Sequence, residues 1–125
     1  MLNHFLIVAI VSLISSVQLD AQSAVYYCSN TGTYGFCYNS ESEMAARECG
    51  YYRCIVNGGT QPVIKDYSSK SGYGALCIGT DYVDTKVIVV AFGYTTRDEA
   101  DETARQNCEE AGGCKIRVKE QWNDQ

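Results

Sequence analysis

Seven cysteines, Cys28, Cys37, Cys49, Cys54, Cys77, Cys108 and Cys114, are the residues of this 125-residue chain best suited to covalent chemistry. Thiols can close into disulfides, ligate a metal or act as nucleophiles, and spacing and company decide among these. Cys49-x4-Cys54 and Cys108-x5-Cys114 are looser than the paired Cys-x2-Cys of zinc sites. The one histidine, His4, sits at the head of an apolar leader. With that leader removed, no imidazole remains to activate a serine or thiol nucleophile or to bind zinc. The residues therefore favour disulfides, with no metal and no cofactor expected. Cys49 with Cys54, and Cys108 with Cys114, would each close a short loop, a constraint worth roughly 2 kcal/mol. Cys28 and Cys77 could pair with each other across the chain, leaving Cys37 as a free thiol. That thiol could be a nucleophile near a helix start, half of an intermolecular disulfide, or a buried small hydrophobe. Several connectivities stay open.

Carboxylates offer a second chemistry. Asp81 with Asp84, or Asp98 with Glu99 and Glu102, are candidates for acid–base work or calcium ligation. The first pair lacks the regular Asp-x-Asp-x-Asp-Gly run, and acids at a helix start are accounted for by capping and the helix dipole. Tyrosine is the more informative excess, with ten in the chain. Alternating strands cannot turn all of them inward. Tyr51-Tyr52-Arg53, between Cys49 and Cys54, combines the residue types enriched in binding hot spots. Fifteen acidic against ten basic residues give a net charge of −5, which argues against a nucleic-acid partner.

Residues Phe5 to Ile14 form an apolar stretch too short to span a bilayer of ~30 Å. It reads as the core of a signal peptide covering residues 1–21, cleaved after Leu19-Asp20-Ala21, so that a mature chain of residues 22–125 begins at Gln22. A secreted or periplasmic location follows, with no transmembrane segment in the mature chain. A domain of about 100 residues buries a modest core, and staples supplement it.

The elements that must position these groups occur twice. Phe36-Cys37-Tyr38-Asn39-Ser40-Glu41-Ser42-Glu43 and Phe92-Gly93-Tyr94-Thr95-Thr96-Arg97-Asp98-Glu99 share the pattern F-x-Y-x-[S/T]-x-x-E. Each predicts an aromatic strand running into a capped helix, Ser40 and Thr96 being the caps. The first helix is expected to end at Cys49, return through Gly50 to Arg53 and enter a strand at Cys54 to Val56. The second should end near Cys108 and return to a strand at Cys114 to Val118. Strands at Ala24 to Cys28 and Tyr73 to Ile78 precede the aromatic ones. Ala100, Ala104, Cys108 and Ala111 make one small-residue stripe on the second helix, and Met44, Ala45 and Cys49 its counterpart on the first. The unbroken run Val87 to Phe92 predicts a central strand. The stretch from Asn57 to Pro62 is turn-forming, and Asp66 to Gly72 reads as loop.

These features resemble the secreted bacterial family catalogued as domain of unknown function 4189. The carriers are Tyr34-Gly35, Ala45, Cys49 and Cys54 in the first copy, and Gly93-Tyr94, Ala100, Ala104, Cys108 and Cys114 in the second. Glu41 stands where that family has an alanine. The resemblance implies an exported small domain and supplies no catalytic residue.

The sequence thus predicts an α+β domain of two β-β-α-β copies, about residues 24–57 and 73–119, with two helices on a mainly antiparallel, disulfide-stapled sheet. Its expected role is a non-enzymatic protein-binding or inhibitory module that contacts a protein or envelope component through Tyr51, Tyr52 and Arg53. The alternatives are a small enzyme using Cys37 or Asp81, and a structural envelope protein dimerising through the odd cysteine.

Overall fold

The computed structural model describes residues 21–125. The expected leader, Ala21 apart, lies outside the described residues. The first copy runs β1 (Gln22–Cys28), β2 (Thr33–Ser40), α1 (Glu43–Val56) and β3 (Val63–Ser68). The second runs β4 (Gly72–Thr80), β5 (Lys86–Tyr94), α2 (Arg97–Glu110) and β6 (Cys114–Asp124). This is the predicted α+β architecture of repeated β-β-α-β units. The six strands form two three-stranded antiparallel sheets, ordered β2-β1-β3 and β5-β4-β6, rather than one.

Alternation along the strands explains the layering. On β1, Ala24, Tyr26 and Cys28 meet α1 at Gly50, Tyr51 and Cys54, whereas Val25 and Tyr27 face the other sheet. On β4, Ala75 and Cys77 pack under Ala100, Ala104 and Cys108 of α2, whereas Leu76 and Ile78 face the first sheet. The sheets meet over Val25, Leu76, Ile88 and Trp122, with an aromatic cluster of Phe36, Tyr38 and Phe92 around the indole. The order of layers is α1, sheet, sheet, α2. A buried clamp joins the sheets at one end, where Asp124 accepts from the Ser23 hydroxyl and from the Asn39 amide at 2.6 Å.

Four expectations are corrected. The first helix does not stop at Cys49 but continues to Val56, absorbing Gly50 to Cys54. Gly50 keeps helical geometry and serves close packing: a Cβ there would lie 3.2 Å from the Ala24 carbonyl oxygen. The turn comes instead at Gly58, whose φ is +95°. Its cap is Ser42 rather than Ser40, with Ser42 Oγ accepting from the Ala45 amide at 3.1 Å. That shift of register buries Ala46, Gly50 and Cys54 and leaves Met44 and Ala45 exposed. The third strand of the first copy is Val63–Ser68, partly in the expected loop; Lys65 and Asp66 obscure its alternation. Finally, β5 is an edge strand. Its apolar run reflects cover on both faces, by α2 and by the first sheet, not a central place in the hydrogen-bonding order. On the second helix, Thr96 caps as predicted, accepting from the Glu99 amide at 3.2 Å.

Candidate functional site

The structure redistributes the cysteines. Cys37 is joined to Cys49 in a disulfide with Cα atoms 5.9 Å apart, so Cys37 is not the spare thiol. Cys49 and Cys54 cannot bridge each other, because five residues of helix turn them about 140° apart. Cys54 is buried against β1, its sulfur 3.1 Å from that of Cys28. Cys108 is buried against Cys77 at the equivalent place in the second copy, while Cys114 is exposed at the start of β6. The proposed Cys108–Cys114 loop is therefore not closed. Nor do Cys28 and Cys77 pair, since each points toward the helix on its own outer face. Burial pushes the Cys54 thiol up to about 11 and the Cys77 thiol up to about 12, with the neighbouring thiol adding to each.

The tyrosine surface is dispersed in the same way. Tyr51, Tyr52 and Arg53 lie on α1, about 100° apart from one to the next. Tyr51 packs edge-on against Tyr26 at 5.7 Å, Tyr52 is 68% exposed, and the Arg53 guanidinium donates to the Phe36 carbonyl at 3.2 Å. Asp81 is occupied by its own turn, accepting from the amides of Val83 and Thr85 at 3.0 and 2.8 Å. Asp98, Glu99 and Glu102 line the exposed first turns of α2. Among the described residues, no group of three or more histidine, cysteine or acidic side chains comes together as a metal site.

What the strands do bring together is a cleft of about 550 Å³ beside the inter-sheet core. Strand register places Arg117 and Ile88 on either side of Ile78, and Lys86 opposite Thr80. A register shift between Ile78 and Thr80, with Lys115 at φ +52°, adds Lys115 to the same wall, and Tyr34 of β2 supplies another. Ile78 and Tyr34 make the lining mainly apolar; Lys86, Lys115, Arg117 and Lys119 ring it with positive charge. The Lys86 ammonium donates to the Gly32 carbonyl at 2.9 Å, closing one end. Glu120 sits behind Tyr34 and accepts a hydrogen bond from its hydroxyl at 3.1 Å; burial, and then this carboxylate, push the phenol up to about 12. Among the described residues the only ion pair is Arg47 with Glu43 on α1, so the four cleft cations have no carboxylate partner within 4.0 Å.

Sequence reasoning missed this site. Its trace was Lys115-x-Arg117-x-Lys119, a cation at every second residue of a strand, which places like charges on one face. Lys86 and Tyr34 arrive from distant strands and carry no local signal. Chemically, unpaired cations around an apolar floor attract an anion that also has apolar surface.

No protein-family model, curated protein or solved structure matches the chain. No helix among the described residues is long and apolar enough to cross a membrane.

Proposed function

We propose that this chain is an exported, non-enzymatic binding module whose cleft takes an acidic segment of a partner protein. The carrying observation is the ring of Lys86, Lys115, Arg117 and Lys119 around an apolar floor, in a chain of net charge −5. A cluster of unpaired positive charge on an acidic protein steers anionic partners toward one place. The floor of Tyr34 and Ile78 favours a peptide that interleaves Leu or Phe with Asp and Glu over a purely charged polyanion. Residues first suited to catalysis hold structural posts, Cys37 in a disulfide and Asp81 in a turn, which supports the non-enzymatic reading. Export and the family resemblance belong to the same proposal and rest on the leader and the cysteine content.

The test is fluorescence anisotropy with a labelled ten-residue peptide of alternating acidic and apolar residues. Binding should be saturable, and Arg117→Glu with Lys119→Glu should weaken it at least tenfold while circular dichroism stays unchanged. Equal affinity of the variant, or tighter binding of a sulfated oligosaccharide than of the peptide, would sink the assignment. A second reading follows from the exposed Cys114: a disulfide-linked dimer, which non-reducing mass analysis would find at twice the chain mass.

A further inference from the structure

The thiol pairs Cys28 with Cys54 and Cys77 with Cys108 occupy matched positions. β1 is the central strand of its sheet and β4 of the other; each carries a cysteine on the face turned to its helix. Counting from the caps Ser42 and Thr96, the helix partners Cys54 and Cys108 are the same residue of their helices, preceded at the same steps by buried Ala46 and Gly50 or Ala100 and Ala104. In the first copy the sulfurs are 3.1 Å apart and both residues are fully buried. In the second, both cysteines are fully buried and packed in one cluster between β4 and α2. In the folded chain the other cysteines lie elsewhere, Cys37 and Cys49 joined to each other and Cys114 exposed.

We infer that Cys28–Cys54 and Cys77–Cys108 are disulfides in the functional protein, one equivalent staple per copy, and that Cys114 is the single remaining thiol. Each closure removes two thiol protons and two electrons. One thiolate attacks a disulfide-bearing oxidant, either a thiol–disulfide oxidoreductase or oxidised glutathione, and forms a mixed disulfide as one thiol leaves. The second cysteine then attacks that mixed disulfide, the protein S–S bond forms, and the second thiol of the oxidant departs. Closure belongs to folding rather than to the finished fold. Burial places all four cysteines out of reach of solvent and raises the Cys54, Cys77 and Cys108 thiols, so a folded, reduced chain reacts slowly. Access to an oxidant in the cell rests on the export reading, but the pairing itself can be tested without it.

The experiment is refolding of the full chain, reduced and denatured, in a buffer of reduced and oxidised glutathione, followed by alkylation in denaturant and intact mass. Cys114→Ser, which removes the thiol most able to scramble the pairs, is run in parallel. One alkylated cysteine is expected before reduction and seven after it, against none and six in Cys114→Ser. Proteolytic peptides should link Cys28 to Cys54 and Cys77 to Cys108. Three or more alkylated cysteines without reductant, or peptides linking Cys49 to Cys54 or Cys108 to Cys114, would overturn the inference. If refolding aggregates, the same mapping on protein secreted by an oxidising host decides it. Failure of export would appear separately, as a chain from its source cells that retains residues 1–21.

Discussion

Tyr34 is the residue on which the cleft and the inter-sheet packing converge. Its ring lines the cleft and packs against the inter-sheet core, its hydroxyl donates to Glu120, and its carbonyl accepts from the Asn57 side chain at 2.9 Å. Burial first, and then the Glu120 carboxylate, raise the phenol from 10.0 to about 12 in the folded chain. The folded state thus holds this proton more tightly than the unfolded one. Its stabilising contribution is complete below the unfolded pKa and is lost as pH rises through the folded value. Burial is also the main cause that raises Tyr27 and Tyr67. Thermal melts between pH 9 and 12 should therefore fall in midpoint, and Tyr34→Phe should flatten the fall. In ultraviolet titration the same variant should lose the latest phenolate step. An unchanged late step would assign that proton elsewhere. No local pattern in the sequence foretold this role for Tyr34, because its environment is built by Glu120 from a strand 86 residues away.

At the scale of elements, the sequence was most legible where one local rule decided. The cap at Thr96 and the stripe of Ala100, Ala104 and Cys108 stand as their spacing predicted, but Ala111, expected to extend that stripe, is the exposed C-cap of α2. It was least legible where glycine had two meanings. Gly50 looked like a helix stop and is a packing residue; Gly58 is the stop. Gly35 makes the point testable, because a Cβ there would lie 2.2 Å from the Cys54 amide nitrogen and 2.5 Å from the Gly50 carbonyl oxygen. Those are backbone atoms of α1, so the whole helix would have to lift from β2. Gly35→Ala should cost about 3 kcal/mol, at the upper end of overpacking. Gly58→Ala meets nothing within 4 Å and suffers only from its φ of +95°, a cost of about 1 kcal/mol. Urea unfolding of the two variants should separate them clearly; equal midpoints would mean that α1 is not seated on Gly35.

At the scale of the whole molecule, the candidate site exists only because two copies stack. Lys115, Arg117 and Lys119 share one strand, but the walls opposite them come from β2, β4 and β5. A pattern read along the chain could show a charged strand and not a cleft. The uneven charge has a measurable consequence. Ten cations are outnumbered by fifteen acids, yet Glu120 is the one carboxylate residue among those lining this cleft and the adjoining depression beside Tyr34. Glu120→Gln should therefore strengthen binding of the acidic Leu/Phe peptide about threefold, since it removes the nearest opposing charge without removing a cation. Raising ionic strength from about 10 to about 150 mM shortens the screening length from roughly 30 to roughly 8 Å. Affinity of the unmodified chain should fall across that range, because the rim charges are exposed and act from a distance. If affinity instead rises with salt and ignores Glu120→Gln, the peptide is held by the apolar floor alone, and Lys86, Lys115, Arg117 and Lys119 have no part in recognition.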